Sequence, residues 1–174
     1  MATPPAALDL GRHGDLVGRD HNVWIRRALI ALLCLVPVLA LLNVFGQRPQ
    51  THRGDSAAAA MKIYSPLHLR AGLYFESRFT INAQQDIKNA TVLLHSGWLE
   101  GMTLNTIEPS PIGEASRDGS IALELGHIPA GKSYLLFLQF QVNPTNIGRR
   151  DQSVDLYDGE TKLLRIPRTV TIYP

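Results

Sequence analysis

The sequence predicts an all-β fold, an immunoglobulin-like antiparallel β-sandwich of about 7–9 strands, preceded by one transmembrane α-helix. The helix is predicted by an apolar run without charge at residues 28–45. The strands are predicted by apolar and polar side chains that alternate after residue 61, and by turn signals between the alternating segments. A length of 174 residues allows one such domain and a modest extra segment.

Composition excludes several classes of protein. The chain is 45% hydrophobic and 18% charged with a net charge of +2, which argues against a disordered chain and against a polybasic nucleic-acid binder. We therefore expect no nucleic acid among its partners. A single cysteine, Cys34, cannot form an intramolecular disulfide.

Residues 1–22 are predicted to be a disordered cytoplasmic tail. They are rich in Ala, Pro, Gly, Asp and Arg and show neither helical nor strand periodicity.

Residues 23–46 are predicted to form the transmembrane helix, and the partner of this segment is the lipid bilayer. At about 1.5 Å per residue, the uncharged run covers roughly 27 Å of hydrocarbon core. Trp24 suits the interface, and the stems of Arg26 and Arg27 reach toward headgroups. Pro37 predicts a mild kink, and Asn43 is placed to form a hydrogen bond between helices.

The run has two alternative interpretations, a buried helix of a soluble domain and a cleaved signal peptide. The run is long for either, and no small-x-small cleavage site follows it closely. Arginines near the ends of the run predict the orientation, because the amino side carries more of them. They are Arg12, Arg19, Arg26 and Arg27 before the run, and Arg48 and Arg53 after it. We expect a single-pass protein of the plasma membrane with a cytoplasmic amino terminus and an extracytoplasmic carboxyl domain.

Residues 47–60 have the composition of a flexible linker, polar and then alanine-rich, and residues 61–174 are predicted to be the β-sandwich. Alternation is clearest at residues 73–83 and 133–142. Shorter strands are predicted at residues 61–64, 91–95, 102–108, 120–125, 153–157 and 162–173, the last broken near Pro167.

Residues 123–133 have the sequence Leu-Glu-Leu-Gly-His-Ile-Pro-Ala-Gly-Lys-Ser. This segment resembles a turn found in bacterial surface sandwich repeats of the conserved-repeat and adhesion-like kind. The resemblance implies a glycine that permits a tight turn and an Ile128 that closes the end of the core. The tail, anchor and sandwich together, with the segments 42–49 and 101–109, resemble uncharacterised single-pass membrane proteins of actinobacteria. These motifs concern folding and imply no catalytic residue.

The chemistry-bearing residues do not form a recognisable catalytic or metal-binding pattern. The histidines are not paired at ligand spacing, the sequence has no Gly-x-Ser-x-Gly elbow, and Cys34 lies in the apolar run. We therefore expect a protein that is not an enzyme, with no cofactor, no metal and no small-molecule substrate.

Candidate partner contacts lie at three places in the sequence, in two loop segments and in one strand. Trp98, Leu99 and Met102 lie in a glycine-flanked connection, where an exposed tryptophan would mark a contact and a buried one would close the core. Phe137 lies on the wetter side of its strand. Arg149 and Arg150 end a polar loop. This loop is either a site for an acidic partner or a solvated turn.

The sequence favours a non-enzymatic interaction protein, an accessory or scaffolding subunit that docks a neighbouring membrane or cell-envelope protein. The alternative is a tethered module that binds a cell-wall glycan. A protein partner predicts a contiguous apolar patch around Trp98 or Phe137, and a glycan predicts an aromatic platform flanked by amides such as Gln139 and Gln141.

Overall fold

The computed structural model describes residues 20–42, 44 and 46–174, without the side chains of residues 20 and 21. The chain divides into two units, Met1–Gly46 and Gln47–Pro174. The predicted cytoplasmic tail lies almost wholly outside the described residues, and so does Asn43.

The described part of the first unit contains one helix, α1, Asp20–Leu41, with Pro37 inside it. Its residues Asn22–Leu41 are long and apolar enough to cross a membrane by length and composition. At about 1.5 Å per residue, 22 residues give a helix of about 33 Å, close to the thickness of a hydrocarbon core. The helix begins three residues before the predicted segment and ends five residues before its predicted end at residue 46.

The second unit, hereafter the β-domain, contains thirteen strands in three sheets. The first sheet has the order β1-β2-β4-β9-β6, with β1 Pro49–Asp55, β2 Ala59–Pro66, β4 Tyr74–Ala83, β9 Ser133–Val142 and β6 Met102–Glu108. The second has the order β12-β11-β5-β8-β7, with β12 Thr161–Ile166, β11 Val154–Asp158, β5 Ile87–Leu94, β8 Ser120–Ile128 and β7 Gly113–Arg117. A small third sheet has the order β10-β13-β3, with β10 Gly148–Asp151, β13 Thr169–Tyr173 and β3 His68–Arg70.

All pairs are antiparallel except that of β13 with β3. Alternation places every second side chain of a strand in one shared core. In β4 and β9, for example, Phe79 and Leu136 are paired and fully buried, and Val92 and Leu123 of the second sheet are paired and fully buried as well. The predicted β-sandwich is confirmed, whereas the predicted number of strands was too low because short polar strands at sheet edges lack an apolar alternation.

The segment predicted as a flexible linker, residues 47–60, is part of the β-domain. Strand β1 pairs with β2 along its whole length, from Pro49 opposite Pro66 to Asp55 opposite Ala60. A Cβ on Gly54 would lie 2.7 Å from the side chain of Ile166 in β12, so glycine lets β1 pack closely against the second sheet. Linker-like composition misled here because β1 is an edge strand and exposes most of its polar side chains.

Residues 123–133 behave partly as their resemblance implies. Ile128 is buried in the core, as expected. The tight turn follows it, where Lys132 N donates to Pro129 O at 3.0 Å and Gly131 has a φ of 75°. Gly126 has a φ of 82° but lies within β8, opposite a bulge in β5, and not in the turn.

Candidate interaction face

Trp98 and Met102 lie in the core, so the predicted partner contact does not include them. Trp98 ends a short 3₁₀ helix, Ser96–Trp98, and is fully buried with its ring centroid 5.6 Å from that of Phe79 and 5.3 Å from that of Phe140. Its Nε1 donates to Gln152 O at 2.9 Å. The large aromatic therefore closes the core and does not bind a partner.

A buried arginine that the sequence analysis did not single out covers the Trp98 ring. The guanidinium carbon of Arg168 lies 5.0 Å from the ring centroid. Its Nη1 donates to Gln152 Oε1 at 2.9 Å, and its Nη2 donates to Ser65 Oγ at 3.0 Å and also to Pro66 O. Burial lowers the pKa of Arg168 to about 9. Its partners join three segments of the chain around Trp98, so its role is structural.

Arg150 is also a structural residue, while Arg149 beside it is exposed. Arg150 Nη2 donates to Asn146 Oδ1 at 2.7 Å, and its Nε lies 3.4 Å from Glu100 Oε1. Asn146 Nδ2 in turn donates to the carbonyl oxygens of Glu100 and Gly101. These contacts hold the loop before β10 against the chain before β6. Leu99 packs partly buried against the core.

Phe137, unlike the predicted contacts Trp98 and Met102, is partly exposed to solvent. It is half-buried on the outer face of the first sheet, the face turned away from the core. The register puts Tyr64 of β2 opposite Arg78 of β4, and Arg78 opposite Phe137 of β9. The Arg78 guanidinium carbon lies 5.9 Å from the Tyr64 ring centroid and 4.9 Å from that of Phe137.

These three side chains, here called the Arg78 row, form a pre-organised cation–π arrangement. Glu76 Oε1 lies 3.4 Å from Arg78 Nη2 and limits its motion further. Leu135 lies two residues before Phe137 on the same face of β9, is 42% exposed and extends the apolar surface. Alternation within residues 73–83 predicts that Tyr74, Glu76 and Arg78 share the polar face of their strand. Only the register between strands reveals that Arg78 stacks on Phe137.

Two shallow depressions flank the Glu76–Arg78 pair on this outer face. One of about 320 Å³ is lined by Tyr64, Tyr74 and Glu76 among others. The other, of about 200 Å³, is lined by Glu76, Thr106, Phe137, Leu138 and Gln139. The face thus combines exposed aromatic rings, an arginine and amide groups, which are enriched at protein interfaces and at glycan sites.

The outer face of the second sheet has a different character. A groove of about 510 Å³ there is lined by small and polar residues, among them Asn89, Thr91, Ala122 and Glu124. Near it the buried carboxylate of Asp155 forms ion pairs with Lys162 Nζ at 2.9 Å and with Arg165 Nε at 3.8 Å. His95 Nε2 lies within hydrogen-bond distance of Asp155 Oδ2, at 3.2 Å. The hydrogen bond that Lys162 donates to Asp155 raises the pKa of Lys162. The two ion pairs balance the buried charge, and the three contacts together link β11 and β12 with the end of the neighbouring strand β5.

Metal-ligating side chains do not assemble in the part of the chain that the structure describes. Among residues 20–42, 44 and 46–174, no group of three or more His, Cys, Asp or Glu side chains could hold a metal ion.

No family model matches the chain, and no curated protein matches it. Among solved structures, the chain is similar to the solution structure of CaCohA2 from Clostridium acetobutylicum, with 10% identity, a TM-score of 0.45 and coverage of 68% of this chain and 92% of that one. It is also similar to the crystal structure of the C-terminal domain of wzt, with 15% identity, a TM-score of 0.41 and coverage of 74% and 81%. Likenesses this distant transfer no function to the chain.

Proposed function

We propose that this chain is a membrane-anchored, non-enzymatic interaction protein whose β-domain docks a neighbouring membrane or cell-envelope protein. In this proposal α1 is a single-pass anchor, residues 1–22 are cytoplasmic and the β-domain is extracytoplasmic, in agreement with the arginine bias around the helix. The chain would be an accessory or scaffolding subunit. The resemblance to single-pass proteins of actinobacteria remains part of this proposal.

The Arg78 row carries the proposal. Arginine and aromatic residues dominate the binding energy of many interfaces, above all where they are held in place before the partner arrives. Arg78 is held on three sides, by Tyr64, Phe137 and Glu76, and nearly half of its side chain is exposed. The partner would therefore meet an ordered guanidinium between two rings and lose little side-chain entropy on binding.

The experiment is a pull-down of the full-length chain from native membranes in mild detergent, comparing Phe137→Ala, Arg78→Ala and a control. The control is Arg117→Ala, which removes an exposed arginine from the second sheet. A partner that docks on the outer face co-purifies stoichiometrically with the unaltered chain and with the control. Each variant of the row should reduce its capture at least tenfold, since hot-spot truncations cost about 2 kcal/mol or more.

A partner retained equally by all variants would place the contact elsewhere on the molecule. Failure of any protein to co-purify with the unaltered chain would remove the support for a scaffolding role.

A second candidate function, binding of a cell-wall glycan, is favoured by one observation. Gln139 and Thr106 line the 200 Å³ depression beside the Phe137 ring, and Glu76 closes it. An aromatic ring next to amide, hydroxyl and carboxylate groups is suited to stacking on a sugar and bonding its hydroxyls. Co-sedimentation of the full chain with purified cell wall tests it. Gln139→Ala should release the protein, while Gln85→Ala in the turn after β4 should not.

A further inference from the structure

One end of the β-domain, here called the entry end, gathers exposed apolar and basic side chains from four segments. Backbone hydrogen bonds hold these segments together. Ala71 N donates to Tyr173 O at 2.8 Å, Gly72 N donates to Val142 O at 2.9 Å, and Val142 N donates to Leu73 O at 3.0 Å. The loop after β9 lies beside them, since a Cβ on Gly72 would be 3.9 Å from Pro144 Cγ. The entry end is defined by Arg70, Leu73, Tyr74, Ile147, Arg149 and Tyr173.

Its apolar side chains face solvent in an unusual concentration for a small domain. Leu73 is 49%, Tyr74 58%, Ile147 52% and Tyr173 47% exposed. The core is already filled beneath them by Phe75, Val142 and Ile172, so burial within the domain does not explain them. Clustered apolar exposure of this kind marks a surface that contacts something else.

The charge of the entry end is positive. Arg70 and Arg149 are both exposed, and within the described part of the chain neither guanidinium forms an ion pair with a carboxylate. The nearest acidic side chains along the chain are already engaged, Glu76 with Arg78 and Asp151 with the backbone amide and hydroxyl of Ser153. Two unneutralised arginines therefore lie among apolar side chains, an arrangement complementary to an anionic surface with an apolar interior.

The chain enters the β-domain at this end. With its amide oriented to satisfy both groups, Gln47 donates to Tyr74 O at 3.1 Å and accepts from Arg70 N at 3.2 Å. Gln47 follows Leu41, the last residue of α1, by six positions. At about 3.6 Å per residue or less, that stretch of chain reaches about 22 Å at most. An anchor in the bilayer therefore keeps the entry end at or near the membrane surface.

We propose that the entry end is a lipid-binding surface for an anionic bilayer, an inference that rests on the proposed membrane anchor. Leu73, Tyr74 and Ile147 would insert at the level of the headgroups, where tyrosine in particular is favoured. Arg70 and Arg149 would bind lipid phosphates through charge-assisted hydrogen bonds. The β-domain would then rest on the membrane in one orientation and keep the Arg78 row in a fixed direction relative to its partner.

The test uses the full-length chain in nanodiscs of phosphatidylcholine with and without phosphatidylglycerol. A nitroxide is attached at Leu73→Cys or Ile147→Cys in a Cys34→Ser background, and its collisions with oxygen and with a water-soluble nickel chelate are measured. The matched control label is at Gln85→Cys, in the exposed turn after β4. A separate label on the native Cys34 of the unaltered chain reports on the anchor itself.

We expect the labels at 73 and 147 to be shielded from the nickel chelate in phosphatidylglycerol nanodiscs, and the label at 85 to be exposed. Each arginine near an anionic surface strengthens contact about fivefold, so Arg70→Gln with Arg149→Gln should weaken it roughly 25-fold and return the labels to water. If the labels at 73 and 147 meet the nickel chelate as often as the label at 85 while the Cys34 label lies in lipid, the inference is overturned and the proposed anchor is not affected. Labels that stay shielded in the double variant would overturn the phosphate-binding role of the arginines. An exposed Cys34 would instead refute the anchor, and with it the inference.

Discussion

Replacing Trp98 and Phe137 one at a time separates a core residue from the proposed docking residue, because Trp98 is fully buried and Phe137 lies partly exposed on the outer face. Trp98→Ala removes a fully buried ring from between Phe79 and Phe140. It also removes the Nε1 donor from Gln152 O and the ring beneath Arg168. Phe137, by contrast, is half-buried on the outer face and can be truncated with much less effect on the core.

The magnitude follows from what is lost. A buried tryptophan truncated to alanine costs about 3–5 kcal/mol of the free energy of unfolding. An orphaned buried carbonyl adds about 1–3 kcal/mol, and these losses overlap because the groups are in contact. The total free energy of unfolding of native proteins is about 5–15 kcal/mol, so Trp98→Ala should bring the β-domain close to unfolding. Trp98→Phe keeps one aromatic ring in the core but loses the donor and leaves a small cavity, for an expected cost of about 1–3 kcal/mol, below that of Trp98→Ala.

The assay is urea unfolding of the full-length chain in detergent. Unfolding is monitored by circular dichroism in the β-strand region, because replacing Trp98 would itself change the tryptophan fluorescence. We expect the unfolding midpoint to fall in the order unaltered chain, Phe137→Ala, Trp98→Phe, Trp98→Ala. Partner capture should show a different order, with Phe137→Ala the weakest among variants that remain folded. An unchanged midpoint for Trp98→Ala together with lost capture would refute the core assignment and restore Trp98 as a surface contact.

Three further predictions follow from other parts of the molecule. Gly97→Ala should lower the urea midpoint of the β-domain sharply, because its Cβ would lie 2.7 Å from the carbonyl carbon of Asp151, and Gly159→Ala, whose Cβ would meet nothing within 4 Å, serves as the milder control. Burial lowers the pKa of His52, and the positive charge of Arg168 lowers it further. Because the unfolded chain takes up a proton at His52 at higher pH than the folded chain does, the free energy of unfolding should fall as pH drops below about 6.5. A His52→Gln variant whose free energy of unfolding depends on pH in the same way would refute that origin. A reporter active only outside the cytoplasm, fused after Pro174, should be active, and activity of a cytoplasmic reporter instead would reverse the proposed topology.

Regular alternation made the long central strands predictable from sequence. Residues 133–142 were predicted as a strand and form β9 with the same limits, and the break near Pro167 separates β12 from β13. Both results have a simple physical origin. A strand covered on one face alternates, and a proline cannot donate to the ladder. Edge strands such as β1, β7 and β10 escaped prediction because they cover little apolar surface and have mixed polar sequences.

The candidate site was harder to predict, because it depends on which strands are neighbours. Arg78 and Phe137 are far apart in sequence and meet only through the pairing of β4 with β9. Trp98 shows the converse problem. Its glycine-flanked segment left open whether Trp98 is exposed or closes the core, because the partners that bury it, Phe140 and Arg168, come from distant parts of the chain. A local pattern can therefore identify the face of a strand, whereas the contacts across that face require the register.

The incorporation of β1 into the first sheet has a mechanical consequence. Strand β1 begins beside the entry end and pairs with β2 along its whole length, so a pull on Gln47 along the strand axis would load the whole β1–β2 ladder. The hydrogen bonds of the β1–β2 ladder then resist in shear, as a set, and do not open one at a time as in a peeled hairpin. The same pairing withdraws residues 49–55 from any protease that needs an extended, unpaired substrate. A partner held by the β-domain would thus be tethered to the membrane through a connection that withstands tension and cleavage better than a flexible linker of equal length.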